Sequence, residues 1–196
     1  MPKFWPVILA VLAGLAALAV GLHTHIRGGE EHWTYAARYT ARVGFPFLII
    51  AFSASALAQL RPNGVTRSLL GNRKWWGLSF ATTHTFHLYA LIHVVANAPE
   101  PPNYLVLSPA ILAYVVLYAM VLTSWNWAYK ALGKNWKRLH SFGIWYLWLI
   151  FAAVYVLKSL QPGQQFIAIP YAIIALGALG LRIAAWRKKR SKRAAA

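Results

Sequence analysis

The sequence predicts an all-α membrane protein, a six-transmembrane-helix bundle with both termini cytoplasmic. Of its 196 residues, 59% are hydrophobic and only 12% are charged, about half of the roughly 25% that is typical of a soluble domain. Six apolar runs are each close to the roughly 20 residues that a helix needs to cross a bilayer. Acidic and most basic residues fall in alternate connecting segments, as expected when each run crosses the membrane.

The six predicted spans use nearly the whole chain. They cover residues 4–23, 39–60, 75–97, 108–129, 138–158 and 165–186. Because no segment remains for a soluble catalytic domain, we expect a single transmembrane domain over residues 1–196, with a basic cytoplasmic tail at 187–196. No GxGxxG or P-loop motif is present, so nucleotide chemistry would need a partner protein.

Turn and helix-breaking residues delimit the spans. The first span is apolar throughout. In the second, Pro46 either kinks a helix or marks its start. Pro62-Asn63-Gly64 is a turn signal after it. The fourth span opens with Ser108-Pro109, where proline is tolerated in a first helical turn, and Pro162-Gly163 precedes the sixth.

The charges predict the orientation. All three acidic residues, Glu30, Glu31 and Glu100, lie in the first and third connecting segments, whereas most basic residues cluster in the other segments and near both ends. Segments rich in Lys and Arg stay preferentially in the cytoplasm. We therefore expect an integral protein of a bacterial inner membrane. The net charge of +17 is explained by this topology and by attraction to anionic lipid, and nucleic acid is not an expected partner.

Two histidines lie where a polar ring costs free energy. His87 lies inside the apolar run 75–95, and His140 opens the run 139–157. Such a side chain usually ligates a metal or heme, relays a proton, or hydrogen-bonds between helices. The chain has no cysteine, which excludes thiolate ligands and covalent heme attachment. Heme b, held by imidazoles from facing helices, is the cofactor that fits best, with His87 and His140 as candidate metal ligands.

Three further residues are candidates for cofactor binding. His84 precedes His87 by three positions and so lies near the same helix face, as a supporting group beside the ligand or as a substitute ligand. Arg38 and Arg42 are four positions apart and share a face near the outer end of the second span. They either extend to lipid headgroups or bind carboxylates such as heme propionates, since arginine binds carboxylates bidentately.

Two motifs carry a resemblance to a known family. Residues 73–87, RKWWGLSFATTHTFH, resemble the third-helix pattern of the ferric-reductase-like transmembrane domain, in which a basic pair precedes Gly-Leu and a heme-ligating histidine follows the glycine by ten. Residues 136–140, WKRLH, resemble the start of its fifth helix. Residues 39–62 are similar to its second helix, so the resemblance covers about residues 37–160. Larger members add flavin and nucleotide domains that are not seen here.

The resemblance implies a b-type heme membrane electron-transfer subunit of an oxidoreductase. Electrons would pass from a cytoplasmic reductase or a quinol, through one or two b hemes, to an acceptor at the outer face. Flavin or quinone is a further candidate cofactor. The expected partners are the lipid bilayer and a redox partner protein.

The fifth predicted span departs from the family pattern. A second histidine usually follows the first by about thirteen residues, and its pair is the histidine that corresponds to His87. Ala153 and Val154 occupy that place, and Tyr155 follows. The expected partner of His87 is therefore missing.

Several residues are alternative partners of His87. His140 is one, but at 1.5 Å per residue it lies about 6 Å beyond Trp136 along its helix, whereas His87 lies about 18 Å beyond Trp75 along its own. Others are His23 or His25 near the outer end of the first span, and Tyr155, since tyrosine can ligate heme iron. A heme with one protein ligand is a further possibility. The missing ligand also favours an alternative function, a cofactor-free membrane scaffold or partner-binding subunit that retains the fold.

Overall fold

The computed structural model describes residues 3–24 and 32–194, and this part of the chain contains helices and turns but no β-strand. The all-α prediction is confirmed. In chain order the helices are α1 (Trp5–His23), α2 (His32–Leu60), α3 (Gly64–Gly71), α4 (Arg73–Ala96), α5 (Tyr104–Leu122), α6 (Asn126–Leu132), α7 (Lys134–Ser159) and α8 (Gln165–Ala194).

Five helices, α1, α2, α5, α7 and α8, are long and apolar enough to cross a membrane. The chain is therefore an integral membrane protein. Helix α4 contains 24 residues and so extends about 36 Å at 1.5 Å per residue, which also suffices to cross a bilayer. Its sequence is more polar than that of the other five, because serine, threonine and histidine recur along it. A sixth span in α4 stays a prediction.

The predicted fourth span, 108–129, is divided in the structure. Helix α5 ends at Leu122 and α6 begins at Asn126. Between them, the carbonyl oxygen of Thr123 accepts a 2.7 Å hydrogen bond from the indole of Trp136, and Trp125 is extended, with φ −99° and ψ 154°. The indole thus bonds a carbonyl that a continuous helix would bond internally, and the chain turns there.

Helices α2, α7 and α8 are longer than their predicted spans, and α7 begins at Lys134 instead of 138. Helix α2 begins at His32 and contains Pro46 in its interior, so this proline does not mark the start of the helix. Helix α8 continues to Ala194, and the basic tail is therefore helical in its described part. Lys188 in that tail donates to the carbonyl oxygens of Gln59 and Leu60, at 3.2 and 3.0 Å. These carbonyls lie at the end of α2, where a cation interacts favourably with the helix dipole.

The chain divides into two compact units. Unit 1 comprises the described residues of Met1–Leu48 and Trp75–Val121, and unit 2 those of Ile49–Lys74 and Leu122–Ala196. Unit 1 thus contains α1, the first part of α2, most of α4 and α5. Unit 2 contains the rest of α2 with α3, α6, α7 and α8.

Small residues allow the helices of unit 1 to approach closely. Helix α1 buries one stripe, which consists of Pro6, Ala10, Gly14, Ala17 and Gly21. A Cβ atom on Gly21 would overlap the backbone of Ala36 in α2, and one on Gly14 would overlap the ring of Phe86 in α4. Close packing of this kind is a main source of helix association in membranes.

Helices α7 and α8 pack against each other in unit 2. The buried stripe of α8 is made of alanines: Ala168, Ala172, Ala175, Ala178 and Ala185. From α7, the buried indole of Trp148 donates to the carbonyl oxygen of Ala175 at 3.0 Å. Alanine at these positions therefore gives a large aromatic side chain access to the backbone of the neighbouring helix.

We expect Gly21→Ala to destabilise the protein. The new methyl group meets backbone atoms of Ala36 that cannot rotate away, and such overpacking costs about 1–3 kcal/mol. Gly180→Ala is the matched control, because a Cβ at Gly180 has no neighbour within 4 Å and alanine favours the helix by up to about 1 kcal/mol. Thermal unfolding of both variants in detergent measures the difference. Equal midpoints would contradict the close contact of α1 with α2.

Candidate functional site

His84 and His87 lie together on α4 in unit 1. They are three positions apart, and their ring centroids are separated by 5.4 Å with an interplanar angle of 72°. His84 is buried, with 5% of its surface exposed, and His87 is half-buried. The structure thus confirms that the two predicted site residues are neighbours on one side of the helix.

Helix α2 orients the ring of His87. The hydroxyl of Thr40 donates to the carbonyl oxygen of Ala36 at 2.7 Å, so its oxygen is left to accept from Nδ1 of His87 at a long 3.5 Å. The backbone of Ala37 also interacts with this ring. Acceptors at Nδ1 favour the tautomer with a proton there, which leaves the lone pair of Nε2 for a metal.

His84 fills the contact between α4 and α2. Its Nδ1 donates to the carbonyl oxygen of Phe80 at 3.2 Å, and its ring lies 4.0 Å from the Phe80 ring. Gly44 of α2 lies opposite: a Cβ atom there would come within 2.5 Å of Cε1 and 2.6 Å of Nδ1 of His84. Gly44 is therefore necessary for this arrangement. Its only signal in the sequence is a glycine within a helix.

Helix α5 contributes two tyrosines that contact α4, one of them near His87. The ring of Tyr114 lies 6.4 Å from that of His87, and its hydroxyl is buried without a hydrogen-bond partner in the described part of the chain. Tyr118 shares a 3.1 Å hydrogen bond with Thr85. A buried hydroxyl is seldom left unbonded, so Tyr114 is a candidate to contact a bound group. The sequence analysis missed it, because tyrosine is common in apolar spans.

Arg38 and Arg42 lie on another face of α2. Each guanidinium lies over the tyrosine three residues earlier, at 5.4 and 5.6 Å from the ring centroid. At about 100° per residue, the two arginines lie on roughly the opposite side of α2 from Thr40 and Gly44. The structure therefore does not bring them together with His84 and His87. Their role in binding heme propionates stays a prediction.

His140 belongs to unit 2 and has different surroundings. Its Nε2 forms a 3.0 Å hydrogen bond with the hydroxyl of Thr123, and its ring stacks on Trp136 at 4.1 Å and 24°. Because one ring nitrogen already bonds Thr123, a metal at His140 would use Nδ1 or displace that hydroxyl. His87 lies in unit 1 and His140 in unit 2.

The other candidate ligands are dispersed. His23 at the end of α1 is exposed and bonds the carbonyl oxygen of Ala19 at 2.8 Å, while His25 lies outside the described residues. Tyr155 is buried in unit 2 and stacks on Tyr171 at 4.5 Å. Within residues 3–24 and 32–194, no three His, Cys, Asp or Glu side chains converge to hold a metal ion.

The donors of unit 1 fit a heme better than a bare metal ion. A bare ion in a protein needs about four ligands, whereas the porphyrin supplies four nitrogens and leaves one or two axial positions to the protein. His87 offers one oriented imidazole beside aromatic side chains. His84 and His87 lie on the same side of α4, so they cannot bind opposite faces of one heme, and a second axial ligand would come from another element.

Comparison with known proteins identifies the family, although no family model and no solved structure matches the chain. The protein-methionine-sulfoxide reductase heme-binding subunit MsrQ of Enterobacter sp. (strain 638) is 32% identical over 168 residues, covering 78% of this chain and 74% of the relative. The MsrQ proteins of Salmonella paratyphi B and Salmonella newport are 32% identical over 161 residues, covering 76% of both chains. The chain is therefore a member of the MsrQ family.

Proposed function

We propose that this protein is a b-type heme-binding electron-transfer subunit with His87 as an iron ligand. The observation that carries the proposal is the orientation of His87, whose Nδ1 faces acceptors on α2 and whose Nε2 is thereby left for a metal. The names of the relatives, heme-binding subunits of a methionine sulfoxide reductase, support the same cofactor.

The chain's own residues would hold and insulate the cofactor. A heme bound there would supply one-electron redox chemistry. Thr40 would limit rotation of the His87 ring, and the buried ring of Phe80, which packs against His84, would add apolar surface to the site. Tyr114 provides a hydroxyl on the α5 side. A dry, rigid surrounding lowers the reorganisation that accompanies a change of charge.

His140 is proposed as a second iron ligand. His87 lies about 21 Å from the start of α4 and His140 about 9 Å from the start of α7, at 1.5 Å per residue. This difference favours separate hemes over one shared heme, because the two ligands of one iron lie at nearly the same depth. We therefore propose two b hemes, one ligated by each histidine.

The direction of electron flow follows from the proposed topology. Six spans with both termini in the cytoplasm would put the basic segments on the cytoplasmic side of a bacterial inner membrane. A cytoplasmic reductase or a quinol is the proposed donor, with flavin or quinone as a further candidate cofactor on that side. The proposed acceptor is a redox partner protein at the outer face, and the relatives' name, a protein-methionine-sulfoxide reductase subunit, supports a partner that reduces methionine sulfoxide in proteins.

A cofactor-free scaffold or partner-binding subunit is the second candidate function. One observation favours it: Ala153 and Val154, which cannot ligate iron, occupy the place of the family's second fifth-helix histidine, and both are exposed. Detergent-purified protein without a Soret band, after expression with added heme, would support this candidate and would exclude electron transfer through heme.

We expect His87→Ala to lose the heme bands that depend on this ligand. The variant lacks the imidazole whose Nδ1 faces Thr40 on α2, so reduced-minus-oxidised absorbance should fall to about half or less, given two hemes and two proposed ligands. His93→Ala is the matched control on the same helix, because His93 stacks on Trp33 at 3.9 Å rather than facing Thr40. Equal loss in both variants, or none in His87→Ala, would refute the assignment.

His140→Ala is expected to lower the heme-to-protein ratio while leaving the heme at His87 in place. Pyridine hemochrome analysis of the purified variant measures this ratio directly. Thr123→Val is a useful comparison, because it removes the hydroxyl that bonds Nε2 but keeps the imidazole, and it should retain heme. An unchanged ratio in His140→Ala would exclude His140 as a ligand. Complete loss would favour one heme shared by both histidines.

The absence of native cysteine permits a direct test of the topology. Gly71→Cys and Glu100→Cys lie on either side of α4, and Ser191→Cys lies in the basic tail. A membrane-impermeant maleimide applied to intact cells should label Glu100→Cys but neither of the other two, and all three after lysis. Labelling of Gly71→Cys in intact cells would mean that α4 does not cross the membrane.

A further inference from the structure

Arg182 is a half-buried cation that lies against aromatic rings. It lies on α8, and its guanidinium carbon is 4.3 Å from the ring centroid of Phe52 and 4.5 Å from that of Trp145. The two rings are themselves in edge-to-face contact at 5.1 Å. Arg187, one and a half turns further along, is exposed. Arg182, inside the sixth predicted span, thus differs from the exposed Arg187 of the basic tail.

A second arginine contacts the same turn of α2. The Nε atom of Arg73 donates to the carbonyl oxygen of Ala51 at 2.9 Å, and Ala51 precedes Phe52, whose ring lies under Arg182. The charges of the two arginines act on each other. Unit 2 therefore brings two guanidinium groups to one turn of one helix, where their repulsion is weakly screened.

No acidic residue of unit 2 can neutralise this pair. Residues 49–74 and 122–196 contain neither aspartate nor glutamate. In addition, the Nη1 atom of Arg182 is buried and has no hydrogen-bond partner within the described part of the chain. Buried guanidinium groups normally have both a counter-charge and bonded N–H groups. Both requirements are met at once by an oxygen anion that binds from outside the chain.

We propose that Arg182 and Arg73 form a binding site for the oxyanion group of a membrane-embedded ligand. Arginine suits this role because its planar fork binds a carboxylate or a phosphate through two parallel hydrogen bonds. Two membrane-embedded ligands carry such a group. One is heme, through a propionate, and in that case the site rests on the proposed function. The other is a phospholipid, through its phosphate. Phe52 and Trp145 fix the guanidinium by cation–π contacts.

The test compares the full-length wild-type protein with Arg182→Gln, which removes the charge, and with Arg187→Gln, an exposed control on the same helix with the same charge change. Arg182→Lys keeps the charge but loses the two parallel hydrogen bonds of the guanidinium. It tests the oxyanion site if Arg182→Gln does not fold. Resonance Raman spectroscopy reports hydrogen bonding to heme propionates through their bending band. Native mass spectrometry from detergent reports retained anionic phospholipid.

A heme carboxylate at the site predicts that the propionate band moves to lower frequency in Arg182→Gln and not in Arg187→Gln. A lipid phosphate predicts instead an unchanged band and a loss of bound anionic phospholipid of about tenfold or more, as expected for a charge-assisted bidentate contact. Arg182→Lys should give an intermediate result. If Arg182→Gln matches Arg187→Gln in both measurements, the oxyanion site is refuted.

The two proposals fail in different ways. Wild-type protein without any heme bands would refute the proposed function, while lipid retention would still decide whether Arg182 binds an oxyanion. Conversely, normal heme bands with no difference between Arg182→Gln and Arg187→Gln would leave the heme proposal intact and remove only the oxyanion site.

Discussion

The close approach of α2 to α4 at Gly44 is the constraint on which the geometry of unit 1 depends. Without a Cβ at Gly44, the backbone of α2 comes near enough for the His84 ring to fill the space. One turn earlier on α2, Thr40 then reaches His87, which lies nearly one turn later on α4. A single small residue thus positions two histidines, because the helices pack by van der Waals contact rather than by exclusion of water.

Unit 2 uses a different solution, in which aromatic rings accommodate polar groups in an apolar setting. Trp148 bonds a backbone carbonyl through its indole, Trp136 does the same at Thr123, and Phe52 and Trp145 hold the guanidinium of Arg182. Each hydrogen bond or cation–π contact gives one polar group part of the interactions that it would have in water. Where the need exceeds what the rings supply, as at Nη1 of Arg182, an external anion completes it.

The hydropathy of the sequence and the positions of polar residues within apolar runs predicted much of this structure. Which face of each helix packs against a neighbour could not be predicted. The spans and the histidines at costly positions follow from apolar length and from the free energy of burying a polar ring, and both are visible in one sequence. The break after Leu122 depends on Trp136, which lies fourteen residues away. The shared face of Arg38 and Arg42 was evident from their spacing. That α4 packs on the opposite face, at Thr40 and Gly44, was not evident, because α2 is apolar on several sides.

The chain belongs to the MsrQ family although it has no histidine in the place of the second fifth-helix histidine. Family membership concerns the fold, whereas the missing histidine concerns a single side chain. A fold is kept by many contacts spread over the helices, so 32% identity suffices to retain it. An axial ligand is one side chain, and alanine or valine in the place where the ferric-reductase-like pattern has a histidine, as at Ala153 and Val154 here, cannot supply it. The orientation of His87 by Thr40 does not depend on that missing histidine, since it arises between α2 and α4. The proposed ligand His87 therefore keeps its orientation whether a second ligand would come from another element or from no protein side chain.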